Sequence, residues 1–196
     1  MPWIQRPLNV RIHSQVTGRP DAPPVLLIQG LGMNKNGWAL QRFAMATKFR
    51  TIAFDNRGSG RSTIPAEAFS LQDMADDAIA VLDHHGVRDA HIVGASMGGA
   101  IAQIIAVKYP ERVRSLTLAC TACRNLQWRT ELLRHWADTA TVRAAARGQA
   151  RTCTAPTPGL RYCPHQPSHA CRGVARHLPR PHPHKSNDVT LMCNRL

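Results

Sequence analysis

Acidic side chains are scarce in this 196-residue chain: 12 Asp and Glu stand against 25 Lys and Arg, a formal charge of +13. Spread evenly, such an excess would point to a polyanion-binding surface. It is not even. Residues 1–140 hold 16 basic and 11 acidic side chains, a net of +5, and residues 141–196 hold 9 and 1, a net of +8. The two parts therefore have to be read separately. Aromatic residues are also few, 5% overall, and the basic end contains Tyr162 alone. Without stacking platforms, specific recognition of single-stranded nucleic acid is not expected. Long apolar runs are missing too: a run such as 23–28 falls far below the ~20 residues that cross a bilayer, so no membrane span is expected. No basic segment leads into an apolar run at the start, so no signal peptide is read and a cytoplasmic location is the expectation. Six cysteines in that setting are expected to be free thiols rather than a disulfide framework.

What is present over the first 120 residues is an alternation of strand and helix patterns. Residues 10–16 alternate polar and apolar side chains, as an antiparallel edge strand does. Residues 24–28 form a continuous apolar run, as a strand covered on both faces does. The turn-rich loop Gln29-Gly30-Leu31-Gly32-Met33-Asn34 follows, then a helix over 38–47, a strand over 50–54, and a second loop from Asp55 to Ser62. Ser70 with Asp73 three residues later opens a helix as a capping box, with Met74, Ile79, Val81 and Leu82 as its core face and Gly86 just past its end. A strand over 90–93, a helix over 97–109 stopped by Pro110, a strand over 114–119 and a helix over 126–140 complete the pattern. Such alternation predicts a mostly parallel sheet with helices on both faces, and ligands bind such sheets beyond the carboxyl ends of the strands.

One motif carries chemistry. Gly94-Ala95-Ser96-Met97-Gly98-Gly99 joins the 90–93 strand to an apolar helix. A sharp strand-to-helix turn of this kind strains the backbone of the serine at its apex and lifts its hydroxyl above the strand ends. The Met97 N–H, in the first helical turn, points where negative charge develops on an attacked carbonyl. The bland alternative is a glycine-rich turn with a helix-capping serine.

Three motifs in order resemble the α/β-hydrolase superfamily, specifically its esterase, lactonase and C–C hydrolase relatives. Gln29-Gly30-Leu31-Gly32 resembles the oxyanion loop, Asp55-x-Arg57-Gly58-x-Gly60-x-Ser62 the loop after the following strand, and Gly94-x-Ser96-x-Gly98 the nucleophile elbow. The resemblance covers about residues 8–140 and implies the amino-terminal part of an α/β-hydrolase fold, with the start of a cap region. It also implies Ser96 as nucleophile, the Leu31 and Met97 N–H groups as oxyanion hole, and Gly30 and Trp128 beside the substrate. A small-molecule ester or lactone is the implied substrate, a thioester or a C–C bond the alternative, and no metal or organic cofactor is called for.

The resemblance then breaks. After the elbow the family supplies an acid and then a histidine, on loops after later strands. Here Glu111, Glu131, Asp138 and Asp188 are the acids after Ser96, and His135, His165, His169, His177, His182 and His184 follow no recognisable strand. The triad acid and histidine stay unassigned. Residues 147–196 contain seven Ile, Leu, Val, Phe and Met, recurrent Pro and Arg, and no period of 2 or 3.6. Such a segment cannot bury enough apolar surface to offset its ordering entropy. Residues 141–196 are therefore expected to be a disordered basic tail. A lost carboxyl-terminal half, as an out-of-frame read of a GC-rich gene would give, accounts for that composition, and a catalytically dead remnant or binding protein is the competing reading.

Other candidates carry blander readings. Cys163, His165, His169 and Cys171 fit no common zinc spacing. Cys120 and Cys123 are expected to be buried or lining thiols, His84, His85 and His91 to be structural, and Asp55 and Arg57 to brace their loop, with a substrate carboxylate as the other partner open to Arg57. Trp128 and Trp136 either line an acyl pocket or cover the core. Without later strands, the 114–119 strand would present an unpaired edge and promote self-association.

Overall fold

The structure, a computed structural model, describes residues 2–123, 131, 132, 135 and 189–192. Its organising element is the apolar run Val25-Leu26-Leu27-Ile28, buried along its whole length. This run lies in β3 (Pro24–Ile28), at the middle of a sheet that has seven strands among the described residues. The other strands are β1 (Trp3–Gln5), β2 (Arg11–Thr17), β4 (Arg50–Phe54), β5 (Ala90–Ala95), β6 (Val113–Ala119) and β7 (Val189–Met192), in the order β1-β2-β4-β3-β5-β6-β7. β1 and β2 run antiparallel to their neighbours, and β4, β3, β5, β6 and β7 are mutually parallel.

Side chains alternate across a strand, so β3 feeds two cores. Leu26 and Ile28 join Ile52, Phe54 and Ile92 beneath α2 (Leu71–His84) and α3 (Met97–Lys108). Val25 and Leu27 face the other way, against Ala53 and Trp38. Trp38 ends the 3-10 turn Lys35–Trp38 that leads into α1 (Ala39–Met45). Each fully buried Leu, Ile or Val contributes roughly 1.5–3 kcal/mol, so this doubly covered strand is the firmest part from which to hang a site. α2 begins as its sequence requires: the Ser70 N–H donates to Asp73 Oδ2 at 2.7 Å, and the Asp73 N–H donates to Ser70 Oγ at 3.2 Å.

Three features depart from the sequence expectations. β2 is antiparallel but does not form the edge, because β1 pairs with it through Trp3–His13, Ile4–Ile12 and Gln5–Arg11. Three residues are too few to show a period, which is why β1 has no signature. The helix over 38–47 begins as a 3-10 turn and is shorter, with Trp38 buried and Phe43 exposed. Within the basic end, Val189–Met192 forms β7, and β6 is paired along Leu116–Ala119 rather than bare. Four residues of Val, Thr, Leu and Met lie below any window in which a pattern could be read. Of the helix over 126–140, Glu131, Leu132 and His135 are helical and exposed, and the rest lies outside the described residues.

Candidate active site

β5 ends at Ala95 and α3 starts at Met97, which leaves Ser96 alone to turn the chain. It does so at φ 53° and ψ −115°, a conformation that costs a non-glycine residue about 1–3 kcal/mol. The surroundings hold it there. The Ser96 N–H donates to the Ala119 carbonyl at the end of β6 (2.9 Å), and the Ser96 carbonyl accepts from the Gly99 and Ala100 N–H groups at 3.0 and 3.3 Å. The turn tolerates no side chain at two flanking positions. A Cβ on Gly94 would lie 2.3 Å from the Gly98 oxygen, and a Cβ on Gly98 would lie 2.2 Å from the Ile28 oxygen. The elbow is therefore packed backbone to backbone against the carboxyl end of β3.

The loop leaving β3 comes back over the serine. A Cβ built on Gly30 would sit 3.2 Å from Ser96 Cβ and 3.7 Å from Ser96 Oγ, so a larger residue at 30 would encroach on the hydroxyl. Residues 30–33 form a turn in which the Met33 N–H donates to the Gly30 carbonyl at 3.4 Å and Gly32 takes φ 73° in the third position. The Gly30 N–H is engaged by its neighbour's side chain, Gln29 Oε1, at 3.1 Å. The next amide along is that of Leu31, whose side chain is 52% exposed. The Met97 N–H opens α3, where the first amides have no acceptor inside their own helix. Ser96 and Gly30 are thus neighbours, Leu31 and Met97 each follow one of them directly in the chain, and Trp128 and Trp136 lie outside the described residues.

Asp55 and Arg57 are structural. Asp55 is fully buried and accepts from the Lys35 N–H (2.7 Å), Lys35 Nζ (3.0 Å) and the Arg61 N–H (3.0 Å). Burial works to raise its pKa, but the Arg61 and Lys35 amides and the Lys35 ammonium outweigh that and hold the carboxyl below its ordinary range. Arg57 spends its guanidinium on Asp77 of α2. Cys120 and Cys123 are exposed, not buried. Cys120 follows β6 with φ 52°, in a turn that leads the chain out of the sheet.

Two described histidines bond to hydroxyls other than that of Ser96, and a third lies beside Asp55. His13 Nδ1 lies 3.8 Å from Asp55 Oδ2, His85 Nε2 lies 2.9 Å from Ser14 Oγ, and His91 Nδ1 lies 2.7 Å from Ser115 Oγ. His84 meets the His85 ring edge-on, and His135 is exposed. The bonded nitrogens of His85 and His91 are thus spent on Ser14 and Ser115, and among the described residues no group of three or more His, Cys, Asp or Glu could hold a metal ion. No helix among them is long and apolar enough to cross a membrane. His165, His169, His177, His182, His184, Cys163, Cys171, Asp138 and Asp188 lie outside the described residues.

A mostly parallel sheet carrying helices on both faces, with a serine between strand β5 and α3, defines a hydrolase fold. The profile of the alpha/beta hydrolase fold matches residues 23–149, and the chain belongs to that family. Among proteins it is similar to are the putative carbamate hydrolase RutD of Azorhizobium caulinodans, 42% identical over 95 residues, covering 48% of this chain and 36% of the relative, and 3-oxoadipate enol-lactonase 2 of Acinetobacter baylyi, 32% identical over 116 residues, covering 59% and 43%. A solved structure from the carboxylesterases of the thaumarchaeon Nitrososphaera gargenis superposes with a TM-score of 0.67 at 26% identity, covering 75% of this chain and 54% of that one. The chain spans half or less of the length of the curated relatives it matches.

Proposed function

We propose that Ser96 is the nucleophile of an acyl-transfer site for carboxylic esters or lactones, and that this chain supplies the nucleophile and oxyanion half of that site. The observation that carries the reading is the left-handed backbone of Ser96 at a strand-to-helix junction, with Gly30 packed against its side chain. A strained residue held by hydrogen bonds on both sides is what a presented hydroxyl needs. In the reaction Ser96 Oγ bonds to the acyl carbon, its proton goes to a base, and the carbonyl π electrons move onto oxygen. The Leu31 and Met97 N–H groups receive that oxyanion, each contributing about 100- to 1,000-fold in rate. The alkoxide then leaves with a proton, and water releases the acid from the Ser96 ester. The similar enol-lactonase and carboxylesterase support this substrate class. A thioester or a C–C bond adjoining a carbonyl would be attacked in the same way.

A second reading, a non-catalytic member that holds acyl compounds without turning them over, is favoured by the engagement of His85 and His91 elsewhere. A fluorophosphonate probe, followed by mass spectrometry and a panel of p-nitrophenyl esters and lactones, separates the two. Modification at Ser96 with turnover supports the hydrolase. Modification without turnover supports the second reading, and a folded protein that is not modified at Ser96 overturns the nucleophile assignment.

A further inference from the structure

The turn that bears the Leu31 N–H has almost no packing of its own. Leu31, Gly32, Met33 and Asn34 are all exposed, with Leu31 and Met33 at 52% and 50%. Burial cannot hold such a segment in one geometry, and an amide that wanders cannot stabilise charge at a fixed point. Something else must hold the turn.

Polar ties from the 55–62 loop reach it at three places. At its start, Asn56 Nδ2 donates to the Gln29 carbonyl at 3.0 Å, with both residues buried. At Met33, the carbonyl accepts from Ser59 Oγ at 2.5 Å. Just past its end, the Lys35 N–H and Nζ donate to the two oxygens of Asp55. The ties bracket Leu31 on both sides and leave it no tie of its own. The loop that makes them is itself anchored in the sheet: the Asp55 N–H donates to the His13 carbonyl of β2 (2.9 Å), Ser62 Oγ donates to the Asp55 carbonyl (2.6 Å), and the His13 N–H donates back to Ser62 Oγ (2.9 Å).

Lys35 is the telling member. Its side chain is 7% exposed and its partner Asp55 is fully buried. Burying both charges costs several kcal/mol per ion before their attraction offsets it, and an exposed lysine at this loop position would avoid that cost. What the buried pair supplies is geometry: one carboxylate fixes the backbone and the side chain of Lys35 together. Gln29 belongs to the same arrangement, since its Oε1 occupies the Gly30 N–H and leaves Leu31 as the next donor in the turn.

We infer that the 55–62 loop is a clamp that sets the position of the oxyanion turn, with Lys35, Asn56 and Ser59 as its positioning residues. The inference rests on the Ser96 reading given above. It makes the Asp55-to-Ser62 segment part of the reaction machinery at one remove: the clamp touches no substrate, and acts by fixing where one amide points.

The test uses the full chain and two readouts. Hydrogen–deuterium exchange of peptides covering 29–35 reports the turn directly, whether or not the chain turns over substrate. Fluorophosphonate modification of Ser96, resolved into a half-saturating concentration and a limiting rate, reports the oxyanion geometry. In Asn56→Ala and in the charge-neutral pair Lys35→Met with Asp55→Asn, exchange of the turn should rise about tenfold or more. The limiting rate should fall about 10- to 100-fold with little change in half-saturation, while peptides from β3 and β5 keep their protection. Lys35→Arg in the native background, which retains the cation, should stay close to the parent. Ser59→Ala, at a half-exposed position, carries the test if the buried variants do not fold. Unchanged turn exchange in a folded variant overturns the clamp, and so does a loosened turn with an unchanged limiting rate. If the parent protein is not modified at all, the Ser96 reading fails, while the exchange data still decide whether the loop holds the turn.

Discussion

Arg57 grips Asp77 with two parallel contacts, Nε to Oδ2 at 2.7 Å and Nη2 to Oδ1 at 2.8 Å. Asp77 is 1% exposed, and Arg6 from the amino-terminal segment joins the same carboxylate at 2.8 Å. One α2 carboxylate thus ties down two arginines, one after β4 and one after β1. The fork engages Nε and Nη2 of the guanidinium, so Arg57 braces the scaffold through Asp77.

Asp77→Ala would leave a largely buried guanidinium without its counter-charge, and should cost about 3–5 kcal/mol of stability. Urea denaturation measures it. A change below 1 kcal/mol in the midpoint-derived free energy would show that the pair is screened and merely decorative.

Ser96→Gly separates chemistry from stability. Glycine adopts the backbone angles of this residue without strain, so the variant should lose all phosphonate modification at position 96 and gain about 1 kcal/mol or more in stability. A lower melting temperature for this variant would contradict the strain.

Gly98→Ala tests the close packing of the elbow on β3. The added methyl meets the Ile28 carbonyl, a backbone group with no freedom to swing aside. The expected loss is about 1–3 kcal/mol, with Ser96 modification reduced at the same time. An unperturbed melt would mean that α3 can shift away from the sheet.

The pH dependence follows from buried imidazoles. Burial first, then the nearby His84 and Arg50 charges, pushes His85 from 6.5 down to about 4. Burial first, then the Lys35 charge, also lowers His13. Between those limits the unfolded chain binds more protons than the folded one, so stability rises with pH. The contribution of His85 is complete above about pH 6.5 and is lost as pH falls towards about 4. Below that, Asp55 and Asp73, whose pKa values are lowered, surrender their contributions as they protonate. Urea midpoints collected across the acid range check the trend, and His85→Gln should flatten its upper part.

Legibility in the sequence tracked length and local chemistry. β3, β4, the capping box of α2 and the elbow were readable because each declares itself within a few adjacent residues. The partnership of Lys35 with Asp55 was not, because a lysine in a polar loop looks like any solvated lysine until a strand 20 residues later brings its carboxylate. Asn56 and Ser59 were missed for the same reason: their partners, the Gln29 and Met33 carbonyls, are backbone groups that leave no trace in composition. The one available hint was that the Asp55-to-Ser62 motif accompanied the Gln29-to-Gly32 motif. Cys120 and Cys123 differ in the opposite direction, as thiol side chains that the fold leaves exposed.

The parallel pairing of β6 with β7 has a consequence for biosynthesis. Six strands are present once Ala119 has been made, whereas β7 begins at Val189. At ordinary translation rates, emergence of the intervening stretch of about 70 residues takes on the order of 4–14 s. Throughout that interval the outer rim of Val113–Ala119 lacks its final neighbour and presents unpaired backbone groups.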